Sequence, residues 1–184
     1  MTEKYTDFEL HAMNVALLAL SIAYNLKLDT NSIELLEVAS KYHDIGKIKV
    51  PNSILYKQTK LEPLEYEEIK KHVLYGCILL SKSNIPLQRR CIKYVLCHHE
   101  NWDGTGYLKM RGENIPLISR IIRVADMYIA LLEDRPYRRA YSCDRAKGIM
   151  IENKQLFDPV VLEAFLKVIE EDIDLWGGTS IINL

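Results

Sequence analysis

The sequence lacks the features that mark secreted and membrane proteins. Its four cysteines form no C-x-x-C pair and lie among apolar neighbours; they are Cys77, Cys91, Cys97 and Cys143. We interpret them as small core residues of a protein from a reducing compartment. No apolar run approaches the roughly 18 residues of a membrane span, and the N-terminus has no signal-peptide pattern. These absences predict a soluble, cytoplasmic protein without a membrane segment.

An excess of charge of one sign is also missing. The chain has 24 Lys and Arg against 25 Asp and Glu, with a net charge of -1 and an isoelectric point near 6.5. Such a balance argues against a basic surface for a nucleic-acid polymer or for acidic lipid. A small anionic ligand stays compatible with it, because a local pocket need not follow the global balance.

The length of 184 residues predicts one domain, 1–184, with a sizeable core. The hydrophobic fraction of 48% and the charged fraction of 27% are ordinary for a globular protein. No repeat, low-complexity tract or linker divides the chain. The first predicted helix begins close to Met1, so the sequence equally fits one domain of a longer protein.

Apolar residues recur at spacings of three and four along the chain, and no alternating strand pattern is found. This periodicity predicts an all-α fold of about six to seven helices. The predicted helices are 5–27, 31–43, 64–83, 87–99, 117–134, 143–153 and 159–173. Asp29 offers an N-cap for the second helix, and Asp158-Pro159 is typical of the start of the last one.

Two stretches interrupt the helical pattern, 46–63 and 101–116. Each begins within three residues of a histidine motif. A long irregular loop in a compact domain is usually functional. We therefore expect these loops to shape the entrance of a site beside the histidines.

All five histidines fall where a buried metal centre would need them. With two aspartates they provide seven nitrogen and oxygen donors on five segments; the set is His11, His43, Asp44, His72, His98, His99 and Asp126. Mixed imidazole and carboxylate ligands suit two or three transition-metal ions that activate water.

Each of these residues also has a structural interpretation. His11 and His72 lie on apolar helix faces, where a lone histidine is usually a satisfied core residue. His43-Asp44 ends a helix, and the alternative is an exposed helix end, where the aspartate would oppose the helix dipole. An aspartate next to a histidine can instead bridge two metals while the histidine binds one.

The remaining donors have comparable alternatives. His98 and His99 could be two surface residues before a polar loop, or their rings, about 100° apart on a helix, could serve different ions. Asp126 lies on a helix that is apolar nearly all round, so its carboxylate needs a compensating partner. That partner is Arg123, one turn earlier, or a metal ion. Together the seven donors favour a metal centre.

Several motifs in order resemble the HD-GYP subgroup of the HD phosphohydrolase superfamily. They include His43-Asp44-Ile45-Gly46-Lys47, His72, the run from His98 to Tyr107, Ala125-Asp126, Asp134-Arg135-Pro136-Tyr137-Arg138 and Phe157-Asp158-Pro159. The resemblance extends from about residue 7 to 170. It implies an all-helical HD-type domain around a buried centre of two or three ions, most often iron or manganese.

The resemblance also implies roles for individual residues. The seven donors are the metal ligands, with Asp44 bridging, and Asp7 matches a third-metal ligand that is a glutamate in trinuclear members. Asp44 and Lys47 are the catalytic residues. Contacts with substrate are implied for Lys47, Tyr107, Arg135 and Arg138, although Glu133 and Asp134 offer the two arginines alternative partners. The implied reaction is hydrolysis of cyclic di-GMP to linear pGpG or GMP through a hydroxide that bridges the metals.

Three positions depart from the family pattern. The signature Gly-Tyr-Pro is Gly106-Tyr107-Leu108, which predicts a looser loop because the rigid proline is lost. The Lys-Pro-Gly after the first motif is Lys57-Gln58-Thr59, and Ile129 stands where a second aspartate is usual. These departures leave two alternatives open. One is a weakly active or inactive module that binds cyclic dinucleotides or signalling-protein partners, and the other is a hydrolase of another phosphorylated nucleotide.

Overall fold

The regular structure of the chain is helical, which confirms the predicted all-α fold. The computed structural model describes residues 3–134 and 138–171, without the side chains of 3–7. The α-helices in these ranges are α1 (Glu3–Asn25), α2 (Thr30–Tyr42), α3 (Asn52–Leu55), α4 (Pro63–Lys70), α5 (His72–Ser81), α6 (Pro86–Arg90), α7 (Ile92–Leu96), α8 (Leu117–Leu132), α9 (Cys143–Glu152) and α10 (Pro159–Glu171). Short 3-10 helices cover Ile45–Lys49, Gly112–Asn114 and Lys154–Leu156.

The predicted helix starts are supported by caps. The Asp29 carboxylate accepts a hydrogen bond from the Ser32 backbone N–H at 3.0 Å and so caps α2. Asp158 accepts from the backbone N–H of Val160 at 2.8 Å at the start of α10. The same Asp158 carboxylate pairs with Arg120 of α8, which fixes α10 against α8.

Two predicted helices are each divided in the structure. The segment 64–83 consists of α4 and α5, and the segment 87–99 contains α6 and α7. At the two breaks the N–H groups of Lys71 and Cys91 bond to carbonyls only three residues earlier, so the chain tightens for one turn. At the first break the His72 ring also bonds to the Ile69 carbonyl, 2.7 Å away. A local side-chain contact of this kind leaves no trace in hydrophobic periodicity.

The core lies between α1, α2, α8 and α10. Its largest fully buried side chains include Leu18 and Ile22 of α1, Leu36 of α2 and Phe165 of α10. The Tyr128 ring of α8 meets Phe165 edge to face with centroids 4.8 Å apart. Each such side chain contributes about 1.5–3 kcal/mol by leaving water. This packing places one end of α8 beside α1 and the end of α2.

Glycine allows the turn after α2 to approach α5 closely. A Cβ at Gly46 would lie 1.9 Å from the His72 carbonyl oxygen and 2.5 Å from the Gly76 nitrogen. No side chain fits in this space. The contact brings the residues around Asp44 against the start of α5.

Across the described residues, no helix combines the length and the apolar character that a membrane crossing requires.

Candidate metal centre

The seven predicted ligands lie together in two neighbouring groups. The first group consists of Asp44, His72, His98 and His99, and the second of His11, His43 and Asp126. Within each group the ligand atoms lie within 4.8 Å of one another. The chain thus brings donors from α1, the end of α2, the start of α5, the segment after α7 and the middle of α8 into one place.

Asp44 lies between the two groups. Its Oδ1 is 3.2 Å from His72 Nε2, and its Oδ2 is 3.4 Å from His43 Nε2. His43 Nε2 is in turn 3.8 Å from Asp126 Oδ1. One carboxylate therefore presents a different oxygen to each group, which is the geometry that a ligand bridging two ions needs.

The orientation of three histidine rings is set by their own helices. His43, His72 and His98 each have Nδ1 within hydrogen-bond distance of a backbone carbonyl three residues earlier. The carbonyls are those of Ser40 at 2.7 Å, Ile69 at 2.7 Å and Val95 at 2.6 Å. A carbonyl can only accept, so Nδ1 carries the proton. In the neutral form of each ring the lone pair is therefore on Nε2, which faces the centre.

His11 obtains its second partner from a carboxylate. Its Nδ1 is 2.9 Å and 3.0 Å from the two carboxylate oxygens of Glu133, and its Nε2 is 3.2 Å from Asp126 Oδ1. Sequence analysis considered Glu133 only as a partner for arginines. Helical periodicity carries no signal for this contact, because Glu133 lies just beyond the end of α8 and its partner is on α1.

The donors fit a bound cation. Among the described residues, the buried atoms His43 Nε2 and Asp44 Oδ1 make no hydrogen bond. Buried polar atoms normally have a partner, and each of these two atoms lies within 3.4 Å of another donor of the set, His43 Nε2 near Asp44 Oδ2 and Asp44 Oδ1 near His72 Nε2. Nitrogen and carboxylate donors in this mixture suit iron, manganese or zinc.

The protonation states of the metal-free protein also fit a bound cation. Burial lowers the pKa of His98 well below its usual value and that of His99 to about 3, so both rings are neutral, as ligands must be. Burial would raise the pKa of Asp44, but Lys47 and His43 hold it well below its usual range. This carboxylate is therefore ionised.

His43 differs from the other rings. Burial alone would lower its pKa, but the charges of Asp44 and Asp126 outweigh burial and raise it to about 10. Two buried carboxylates need a positive charge between them. A proton on His43 supplies that charge in the free protein, and an ion would take its place.

Aromatic and cationic side chains lie beside the centre. The Lys47 ammonium pairs with Asp44, and the Tyr107 ring packs on His99 with centroids 4.8 Å apart. Lys70 Nζ lies 4.7 Å from the Tyr66 ring centroid and 5.6 Å from that of Tyr107. Lys47 and Tyr107 thus lie beside the centre, and their contacts with substrate stay predictions. Tyr66 and Lys70 were not anticipated.

Arg123 is a further residue that sequence analysis did not assign to the site. Its Nε donates to the Asn101 side-chain oxygen at 2.9 Å. Burial lowers its pKa, while Asp126, Tyr107 and Tyr66 counter that effect. A guanidinium near a metal ligand and two tyrosines can bind a phosphate oxygen.

The loop after His99 is held by Glu100. This carboxylate is almost fully buried and accepts hydrogen bonds from the backbone N–H groups of Leu108 and Met110, both at 2.7 Å. A Cβ at Gly106 would lie 2.5 Å from Glu100 Cα. The sequence predicted a looser loop because the proline of the family pattern is replaced by Leu108. In the structure the Leu108 N–H, which a proline would lack, donates a hydrogen bond that holds the loop.

The predicted substrate contacts after α8 have mixed outcomes. Arg138 donates to the carbonyls of Leu131 at 3.1 Å and Ala130 at 2.8 Å, and its guanidinium lies 4.4 Å from the Tyr141 ring centroid. It therefore caps the end of α8, and its contact with substrate stays a prediction. Arg135 lies outside the described residues, as does the side chain of Asp7, the predicted third-metal ligand.

Comparisons with known proteins agree with these observations. A family model described as the HD domain matches residues 3–161. A cyclic di-GMP phosphodiesterase of Thermotoga maritima is 35% identical over 180 residues, which are 96% of this chain and 49% of that protein. The 3'3'-cGAMP-specific phosphodiesterase 2 of Vibrio cholerae is 33% identical over 165 residues, 89% of this chain and 32% of that protein. The chain thus spans from about a third to about half of the length of these relatives.

A solved structure has the same arrangement of helices. Bd1817, an HDG"Y"P protein from Bdellovibrio bacteriovorus, matches with a TM-score of 0.70 over 89% of this chain and 52% of that chain, at 17% identity. At this identity the likeness concerns the fold alone.

Proposed function

Because the chain belongs to the HD domain family, in its HD-GYP group, we propose that it is a metal-dependent phosphodiesterase. Its substrate is cyclic di-GMP, which it hydrolyses to the linear dinucleotide or to GMP. The observation that carries the proposal is the position of Asp44, whose two oxygens face two separate groups of ligand atoms. A centre for two ions is the arrangement that phosphodiester hydrolysis uses.

The chain's own residues hold and polarise the reacting groups. The seven donors would hold two divalent ions, iron or manganese, which would supply an activated water near neutral pH. Asp44 would lie between the two groups of donors, and the Nε2 atoms of His72 and His98 belong to the first of them. Lys47 places a positive charge beside Asp44, where negative charge develops on the phosphate oxygens. Asp7 would be the additional ligand of a third ion.

The surroundings of the centre support a nucleotide as substrate. Tyr66 and Tyr107 offer aromatic faces on which a purine can stack. Lys70, Arg123 and Lys47 provide positive charge for phosphates in a chain whose net charge is only -1. A ligand with two bases and two phosphates uses both kinds of contact. We further propose that the protein acts in the cytoplasm, since a sequence with four cysteines and no C-x-x-C pair suits a reducing compartment.

A second candidate substrate is 3'3'-cGAMP. A relative that covers most of this chain is named as specific for it. The two ligands share the phosphodiester ring and differ in one purine. Discrimination between them therefore falls on the residues that contact the bases rather than on the metal ligands.

The test is a direct assay with metal analysis on the same sample. The protein is purified without oxygen, loaded with Fe²⁺ or Mn²⁺, analysed for metal per chain, and incubated separately with cyclic di-GMP and 3'3'-cGAMP. Chromatography should detect a linear product from at least one of them. Asp44→Ala should lose both metal and turnover, whereas Glu163→Gln, on the exposed face of α10, should retain both. Two ions per chain without turnover of either ligand would instead indicate a binding module.

A further inference from the structure

Glu133 follows α8 directly and is joined to a residue 122 positions earlier. Both of its carboxylate oxygens lie within 3.0 Å of His11 Nδ1. The Glu133 side chain is 23% exposed and that of His11 is 8% exposed. The contact therefore lies at the partly exposed edge of the centre.

The position of His11 explains why it needs a partner from another helix. His43, His72 and His98 lie at helix ends or just beyond them, where a carbonyl of the preceding turn can accept from the ring. His11 lies well inside α1, where backbone carbonyls are bonded within the helix. Its Nδ1 proton is accepted by Glu133 instead.

Stability of α8 does not account for a glutamate at this place. The C-terminal end of a helix carries a partial negative charge, so an acidic residue there is unfavourable by about 0.3–1 kcal/mol. Asp126 lies within α8, and Glu133 is the residue that directly follows this helix, with an extended backbone. The helix and the residue that ends it therefore supply a predicted ligand and the support for another one.

We propose that Glu133 is a positioning residue for the metal centre, holding His11 so that Nε2 faces the ion bound by His11, His43 and Asp126. This inference rests on the proposed metal-dependent function. A carboxylate that accepts from Nδ1 fixes the ring orientation and increases the basicity of Nε2. Arg138 supports the arrangement indirectly, because it binds carbonyls in the last turn of α8 and also the carbonyl of Glu133 itself, at 3.5 Å.

The experiment is a Mn²⁺ titration of the metal-free protein, followed by the electron paramagnetic resonance signal of free Mn²⁺. The variants are Glu133→Gln, which keeps the shape and loses the charge, and Glu133→Ala, with Glu163→Gln as the control. We expect about 10–100-fold weaker binding at one of two sites in Glu133→Ala, a smaller loss in Glu133→Gln, and an unchanged second site. The control should bind like the native protein.

Native affinity at both sites in both Glu133 variants would overturn the inference. Equal weakening of both sites together with a lower melting temperature would also overturn it, because that result indicates a general structural role. If Glu133→Ala does not fold, the Glu133→Gln result decides alone. The readout of this experiment is metal binding and not hydrolysis. Native protein that binds Mn²⁺ without hydrolysing a cyclic dinucleotide would contradict the proposed activity, and the titration would still decide the role of Glu133.

Discussion

At the scale of single residues, Lys47 is the cation closest to the bridging carboxylate. Its ammonium contacts Asp44 Oδ2, and its side chain is 20% exposed. A lysine in this place neutralises the carboxylate in the free protein. If Asp44 held ions, as proposed, the Lys47 ammonium would be available to a phosphate oxygen of the substrate.

We expect Lys47→Met to lower kcat by about 100-fold, the usual cost of removing one group that stabilises the transition state. Metal per chain should stay unchanged, since Lys47 is no ligand. The measurement is steady-state hydrolysis together with elemental analysis. Lys41→Met, which removes an exposed surface ion pair with Glu37, is the matched control. Loss of metal from Lys47→Met would show that its role is to hold Asp44.

Five of the seven predicted donors have a local signal in the sequence, whereas His11 and His72 were predicted only as members of the set. His43-Asp44 and His98-His99 are adjacent pairs at helix ends, and Asp126 is a charge on an apolar helix. Glu100 and Glu133 have no such signal. Their partners lie across a loop or on another helix, and a surface-like glutamate in sequence gives no indication of such a contact.

At the scale of elements, the position of the centre depends on how closely the turn after α2 packs on α5. Gly46 touches the backbone of His72 and Gly76, so the turn that carries Asp44 and the helix that begins with His72 are in direct backbone contact. Any group larger than hydrogen at Gly46 would separate the bridging carboxylate from the first group of ligands.

Gly46→Ala should therefore destabilise the fold by about 3 kcal/mol or more and reduce metal uptake. The control is Gly148→Ala in α9, where the nearest atom to an added Cβ is a flexible arginine end at 3.8 Å. There the change should stabilise by about 0.5–1 kcal/mol. Urea unfolding of both variants provides the measurement, and equal stabilities would contradict the packing argument.

Helix boundaries were predicted only where capping residues mark them. Asp29 and Pro159 indicated the starts of α2 and α10 correctly. The breaks at Lys71 and Cys91 were missed, because both segments keep their apolar spacing through the break. At these breaks the backbone N–H groups bond to carbonyls three residues earlier, and the His72 ring bonds to the Ile69 carbonyl. Hydrophobic periodicity carries no information about such bonds.

At the scale of the whole molecule, the centre joins distant parts of the chain. Its donors extend from His11 in α1 to Asp126 in α8, and the intervening helices pack around them. Ions that bind the folded chain and not the unfolded one stabilise the entire arrangement.

Removal of metal should therefore lower the melting temperature. An ion present at 100 times its Kd adds about 2.7 kcal/mol, which for a domain of this size corresponds to about 5–10 °C. Scanning calorimetry with Mn²⁺ and after chelation measures the shift. Asp44→Ala should show almost no response to Mn²⁺, while Lys41→Met should respond fully. An equal response in Asp44→Ala would contradict the assignment of the centre.

The hydrogen bonds between ring Nδ1 atoms and backbone carbonyls have a consequence for proton transfer. In His43, His72 and His98 one nitrogen donates to the backbone and the other faces the ions, so none of the three rings can carry a proton to a leaving group. These three rings orient their Nε2 atoms and do not relay protons. In the proposed reaction, the proton that a departing ribose oxygen requires would therefore come from solvent or from a side chain other than these three rings.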